Sequence, residues 1–489
     1  MSYWEKLMQT SKNKSVRIIV IGGGVSGLSA AHRIYELSAK SGLDTETIVL
    51  ERSGRLGGMI SSKVTDGLLI EGGPDSFITT KPWALDLCLR LGMESRLIET
   101  SDKSRRIFVA RRDRLMPMPE GFSFAPTRLA PFVFSPLFSL RGKLRMSLDL
   151  VLPRRKSKED ESVESFFTRR LGSEAFNLIV QPLVSGIYGA SPENLSVRAA
   201  LPQFAEMEEK HGSLIMAMRM AAQSRNGVKT KDNTPRYNQF VSFREGMGEL
   251  IDALASSLPE GDIQLNKPVK RIETAGNTWK ILTNNNESID ADGVVIAVPT
   301  IYASALVKGF DPLLGDYLSQ IKYASSVVVN LLYKREDISH PLDGVGFVVP
   351  KIESLPISAC SFSSLKFTGR APPETVLLRC FMGEDISKEV HDKDDSYLSG
   401  AVHNKLSVLL GITSEPLFSM VKRNLQSMPQ YAVGHLERIA RINQRAERYP
   451  GMELAGNAYS GVGIPDCVRS GEEAAEKLFK HLERSSNKA

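Results

Sequence analysis

The strongest hydrophobic pattern in the chain lies at 16–21, "VRIIVI", a nearly unbroken apolar run closed by Gly22-Gly23-Gly24. Such a run predicts a strand buried on both faces, as in a parallel sheet. Past the glycines, "VSGLSAAHRIYEL" spaces its apolar residues three and four apart, the period of an amphipathic helix. "TETIVLE" then predicts a second strand. The far end of the chain repeats this grammar. Leu454-Ala455-Gly456 reads as a strand end, Gly461-Val462-Gly463-Ile464-Pro465 as a turn, and the run from Asp466 as a helix. Between the two ends, helix-like stretches dominate from Leu97 to Gln223, and strand signals return from Phe240. The polar stretch Arg225–Gln239 predicts a linker, and the charge run Pro153–Ser162 a solvated connector.

One segment fits neither period. Gly121–Met146 is rich in phenylalanine and is interrupted by Pro126, Pro131 and Pro136, with Pro119 just upstream. The prolines forbid one continuous helix. Two readings stay open: an apolar wall of a pocket or seam, or an interfacial membrane contact in which Lys143 and Arg145 meet anionic headgroups.

Composition narrows the function classes. A formal net charge of +6 over 489 residues is mild, which argues against nucleic-acid binding by bulk electrostatics and permits an anionic small substrate. The four cysteines lie far apart with no CxxC, and the seven histidines form no ligand cluster. Neither a disulfide framework nor a metal site is expected. The polar N-terminus lacks the apolar core of a signal peptide, and no apolar run reaches the length of a membrane span, so a cytoplasmic protein is expected.

The candidate chemistry begins at the first turn. Gly22, Gly24 and Gly27 keep the GxGxxG spacing between a strand and a helix. Gly22 permits the tight turn, Gly24 lets a pyrophosphate approach the backbone, and Gly27 allows close packing of helix on strand. Val25 and Ser26 open the helix, whose free N–H groups and partial positive charge suit phosphate. Glu51 ends the second strand and offers a carboxylate to ribose hydroxyls, which disfavours a 2′-phosphate. A chance glycine turn in another doubly wound protein is the alternative. Next come Arg52, Arg55 and the pair Gly57-Gly58 in "ERSGRLGGMISS", then the turn Gly73-Pro74-Asp75-Ser76 in "EGGPDSF". As a turn residue, Asp75 is expected to cap backbone N–H groups.

This arrangement, together with "FREGMGELIDAL", the strand around Val269 and "ADGVVIAVP", resembles the flavin amine oxidase superfamily from end to end. Within it, "RLMPMPEGF", "QPLVSGIYGASPENLS", "EEKHGSLI", "SMPQYAVGHLERI" and "SGVGIPDC" resemble the protoporphyrinogen/coproporphyrinogen oxidases of heme biosynthesis. "GPDSF" and "GVGIPDC" are most similar to their soluble branch in Gram-positive-type bacteria. The resemblance implies an α/β and α+β architecture with a Rossmann-type FAD-binding domain assembled from segments 1–96, 240–299 and 431–489. A helical, possibly membrane-associating domain would take 97–223, and a mixed-sheet substrate domain 224–239 and 300–430. FAD would bind non-covalently, its adenosine at the first turn and its ring on the backbone of Val462, Gly463 and Ile464. The helix beyond Pro465 would aim its positive end at the pyrimidine side. Val269 and Asn424 match further cofactor positions, the latter standing where the family often has tryptophan.

The implied reaction is oxygen-dependent six-electron oxidation of coproporphyrinogen III to coproporphyrin III with release of hydrogen peroxide, and protoporphyrinogen IX is the alternative substrate. The cofactor carries the chemistry, and no catalytic side chain is singled out. By resemblance, Val348 and Phe381 match wall positions, Gly186 and Ile187 a backbone contact, and Lys81 a partner for substrate carboxylate. Ile107 stands where the plant and animal branch has arginine, with Arg106 one residue away, which favours the coproporphyrinogen branch. A flavin amine oxidase and a non-enzymatic porphyrin carrier remain as rivals. A ferrochelatase is the implied receiver of product, and any membrane contact would be peripheral.

Overall fold

The computed structural model describes residues 15–101, 106–122, 124–189, 192–227, 238–276, 278–383 and 392–486. Most of the expected linker lies outside them.

The "VRIIVI" run forms the central strand Val16–Ile21 of a five-stranded parallel sheet. Thr45–Leu50 and Ile263–Gln264 lie to one side, and Gly293–Ile296 and Met452–Leu454 to the other. Alternation sends Ile18 and Val20 into a core shared with the helices Val25–Ser41 and Ile464–Ser486. Ile19 and Ile21 enter a second core under Thr300–Val307, Pro312–Ser319 and His435–Ala446. Burial on both faces explains why no polar alternation marks this strand. The N- and C-terminal helices meet closely: a Cβ on Gly471 would lie 2.1 Å from the carbonyl oxygen of Ser26.

A second, seven-stranded sheet has the spatial order Phe418–Pro429, Tyr323–Lys334, Thr375–Met382, Ala359–Phe362, Gly346–Val348, Ile107–Arg111, Arg114–Pro117. One face, carrying Val327, Val329, Leu331 and Tyr333, packs on Leu398, Val402 and Leu406 of the helix Asp395–Leu410. The other face looks toward the parallel-sheet unit and the helical region. The hairpin 107–117 departs from the expectation that helix dominates from Leu97. Its apolar core, Ile107–Ala110, is a short run between basic residues, and periodicity cannot separate a run that short from a helix segment.

The helical region surrounds a phenylalanine-rich core that includes Phe122, Phe132, Phe138, Phe166, Phe167, Phe176 and Phe204. At its base, the fully buried Arg170 binds the Asp149 carboxylate at 2.6 Å and the carbonyls of Leu152, Pro153 and Gly212. This hydrogen bonding offsets the cost of burying the charge. The charge run Pro153–Ser162 is more than a solvated connector. Asp160 accepts from the Ser196 hydroxyl at 2.8 Å and the Gly434 amide at 3.1 Å, strapping the helices to the C-terminal segment.

Candidate active site

The first turn is built for close approach. Gly22 has φ 111°, and a Cβ on Gly27 would sit 1.9 Å from the Gly22 carbonyl oxygen, so helix and strand touch through glycine. Gly24 has open space where a Cβ would be, and it starts the helix with no side-chain cap and no acid in the first turn. The unfilled N–H groups of that turn fit a pyrophosphate. Glu51 accepts from the Gly23 amide and the Ser53 amide, both at 2.8 Å, which fixes its carboxylate at the strand end. Gly24 and Gly57 form an isolated bridge, bringing the "ERSGRLGG" loop against the turn. Arg55 donates to the carbonyls of Leu56 (3.0 Å) and Gly58 (2.6 Å), so its first task is to shape that loop. Arg52 lies 4.3 Å over the Tyr302 ring. Val269 begins a three-stranded antiparallel sheet two residues after Lys267, whose amide bonds the Glu51 carbonyl.

The second turn is held by side chains. Tyr431 accepts the Gly461 amide at 2.8 Å and donates to the Asn457 carbonyl at 2.6 Å. His435, buried and neutral, stacks on Tyr431 with centroids 4.1 Å apart; burial pushes its pKa down to about 4. Asp466 lies in the first turn of the C-terminal helix and takes both carboxylate bonds from Lys81, at 2.8 and 2.6 Å. The positive end of this helix therefore faces an acid of its own first turn, and the Lys81 ammonium compensates that acid. A substrate carboxylate reaching Lys81 has to share it with Asp466. Cys467, whose thiol burial pushes up to about 12, is a poor nucleophile for covalent attachment.

Strand register defines the wall. Val328 pairs with Phe381, Phe381 with Ala359, Ala359 with Val348, and Val348 with Val109, one row across five strands on the face opposite the Asp395–Leu410 helix. Val462 of the second turn packs into the same cluster as Val348, Ala359, Tyr188 and Tyr431. The helix Gln181–Tyr188 carries Gly186 and Ile187 exposed beside it, and the Gln181 side chain accepts the Lys351 amide at 2.9 Å. Val348 is buried in this cluster, whereas Phe381 is half-buried. Ile107 lies on the face of Val109, while Arg106 pairs with Asp343.

Asp75 does not cap backbone amides. Its carboxylate accepts from Lys366 at 2.9 Å and from the Ser76 hydroxyl at 2.8 Å, with Arg379 at 4.0 Å. Burial opposes its ionisation, but Lys366 and Arg379 override this and hold the carboxyl below the usual range. Arg379 also donates to the Gly73 carbonyl and lies 4.8 Å over the Phe381 ring, joining the "GGPDSF" turn to the wall. Asn424 donates to the Gly72 carbonyl at 3.4 Å.

The model of the flavin-containing amine oxidoreductase family matches residues 25–478. The chain belongs to that family. It is an FAD-dependent oxidoreductase. Over 95% of its length it is 32% identical to the coproporphyrinogen III oxidase of Bacillus subtilis, covering 98% of that protein. The mitochondrial protoporphyrinogen oxidase of Nicotiana tabacum is 28% identical, with 96% of each chain covered. A crystal structure from Exiguobacterium sp. superposes with a TM-score of 0.83 at 30% identity, over 96% of this chain and 99% of that one.

In this flavoenzyme the helix of the first turn packs at Ser26 on the C-terminal helix, Val462 of the second turn meets the wall at Val348, and Arg379 joins "GGPDSF" to Phe381. Lys366, Arg379, Tyr431 and His435 were not among the predicted site residues. Tyr431 and His435 sit inside the "MPQYAVGH" motif, where a signal existed. The two cations carried none, since Lys366 is 291 residues from Asp75.

Proposed function

We propose that this flavoenzyme oxidises coproporphyrinogen III to coproporphyrin III in heme biosynthesis, with hydrogen peroxide as the by-product. The observation that carries the reading is the cluster joining Val462 of the second turn to Val348, Ala359 and Tyr188 of the wall. It sets an apolar shelf beside the turn that would hold the flavin ring, as a large apolar macrocycle needs. The coproporphyrinogen III oxidase names of the bacterial relatives point the same way. When bound, FAD supplies the two-electron acceptor for each of three rounds and passes the electrons to dioxygen.

The chain's own residues supply position and exclusion. Gly22, Gly24, Gly27, Glu51 and the Gly57-Gly58 loop would hold the adenosine and pyrophosphate, and Val462, Gly463 and Ile464 the ring. Phe381, with Gly186 and Ile187, would orient the macrocycle so that a bridging carbon faces the ring. Asp75 is committed to Lys366 and makes a poor acceptor for the pyrrole proton, which would pass to solvent or to another nearby acceptor. Air oxidation of coproporphyrinogen III and protoporphyrinogen IX in parallel, followed by porphyrin fluorescence, tests the reading. Faster turnover of the four-carboxylate substrate is expected, and a preference for protoporphyrinogen IX selects the alternative substrate. If the protein holds flavin and oxidises neither, the proposal fails.

Among the described residues no helix is long and apolar enough to cross a membrane. A cytoplasmic protein with peripheral membrane contact is the placement we infer, supported by Phe134 (84% exposed), Leu140 (74%) and Leu144 (63%) beside Arg141 and Lys143. Sedimentation with anionic vesicles tests this: Phe134→Ser should lower the bound fraction, and a wild type that stays in the supernatant withdraws the placement. Transfer of product to a ferrochelatase belongs to the same proposal, and crosslinking of the two purified proteins would test it.

A further inference from the structure

The wall row does not end at Val328. On the edge strand Phe418–Pro429, Lys422 pairs in register with Val328, which pairs in turn with Phe381. The neighbours of Lys422 at two-residue spacing fix its face. Met420 packs with Leu68, Ile70, Leu332 and Leu377, and Asn424 reaches the Gly72 carbonyl. Both lie on the side of the "GGPDSF" turn, and strand alternation puts Lys422 there too. Val421, one residue away, joins the core on the opposite face, and Arg423 pairs with Asp395 of the helix covering it. At the usual strand spacing, Lys422 stands about 10 Å along the row from Phe381.

Four other cations near this face are already committed. Lys81 is bound to Asp466, Lys366 to Asp75, Arg379 to Asp75 and the Gly73 carbonyl, and Arg370 to the Ser242 hydroxyl and the Phe243 carbonyl. Half-buried Lys422 has no ion-pair partner among the described residues. We propose that Lys422 is a specificity residue that binds a carboxylate arm of the macrocycle stacked on Phe381; this rests on the porphyrinogen reading above. A macrocycle centred on Phe381 carries flexible acid arms at its rim, and Lys422 ends the same row. A lysine on an edge strand can also serve only to discourage strand pairing, and that role predicts no effect on binding.

The test compares wild type, Lys422→Gln and Lys422→Arg, each loaded with FAD. Fluorescence titration gives the Kd for coproporphyrin III and protoporphyrin IX, and initial rates give KM and kcat for coproporphyrinogen III. Lys422→Gln should raise Kd and KM for the four-carboxylate ligand roughly three- to tenfold, with a smaller change for protoporphyrin IX and kcat held within about twofold. Lys422→Arg should restore most of the affinity. Equal constants for wild type and Lys422→Gln overturn the proposal while wild-type turnover leaves the function standing. A wild type that oxidises neither porphyrinogen overturns both, and it does so before any variant is compared.

Discussion

The two glycine turns perform related tasks by opposite means. The first rests chiefly on backbone against backbone, Gly27 on Gly22, with a single carboxylate, Glu51, added from the end of the adjacent strand. The second is held by side chains from elsewhere. Tyr431 reaches Gly461 across 30 residues, and Lys81 reaches Asp466 across 385. A turn of the first kind fails when an atom is added. A turn of the second kind fails when a partner is removed, and it responds to pH because some of those partners are titratable.

Gly27→Ala should show the largest effect. Its Cβ would lie 1.9 Å from a carbonyl oxygen, a clash that rotamers cannot relieve. A loss of at least about 3 kcal/mol is expected, with little flavin retained in the visible spectrum of the purified protein. Normal flavin content would break the contrast at its strongest point.

Acid should attack the second turn. His435 is buried neutral with its pKa lowered from 6.5 to about 4. The unfolded chain takes up a proton below pH 6.5 and the fold does not, so stability is full above 6.5 and declines as pH falls toward 4. The decline amounts to about 3 kcal/mol at most. His435→Phe keeps a ring on Tyr431 and should flatten the wild-type slope in chemical denaturation across this window. An unchanged slope assigns the acid sensitivity to other groups.

Tyr431→Phe removes both hydroxyl bonds and leaves the Gly461 amide without its acceptor. A loss of about 2 kcal/mol is expected, read as easier release of flavin on heating while Glu51 and the first turn stay intact. The smallest effect belongs to Lys81→Met. It leaves the buried Asp466 carboxylate with Arg469 at 3.5 Å, for about 1 kcal/mol after allowance for the partly exposed lysine. Asp466→Asn in the same chain should recover part of this loss. A double-mutant cycle without coupling would show that the ion pair does not support the turn.

The same contrast explains what could be read from the residues alone. "VRIIVIGGGVSGLSAAHRI" is legible as strand, turn and helix because its apolar run, glycine spacing and helical period all lie within its own span, although distant segments pack on it. The family motifs located the second turn as well, but its supports are non-local, and Asp75 was misjudged for that reason. A turn aspartate ordinarily bonds nearby amides, and here a lysine from a distant segment outcompetes them. The alignment of Phe381 with Val348 was likewise invisible, since register depends on pairings that no local pattern encodes.

Arg379 donates to the Gly73 carbonyl and lies over the Phe381 ring. Mutational drift in the wall is therefore tied to the geometry of the "GGPDSF" loop. A change at Phe381 also disturbs the support of the "GGPDSF" loop. Lineages in which Phe381 has changed should accordingly carry paired changes, one on the wall and one in the "GGPDSF" turn, instead of single ones.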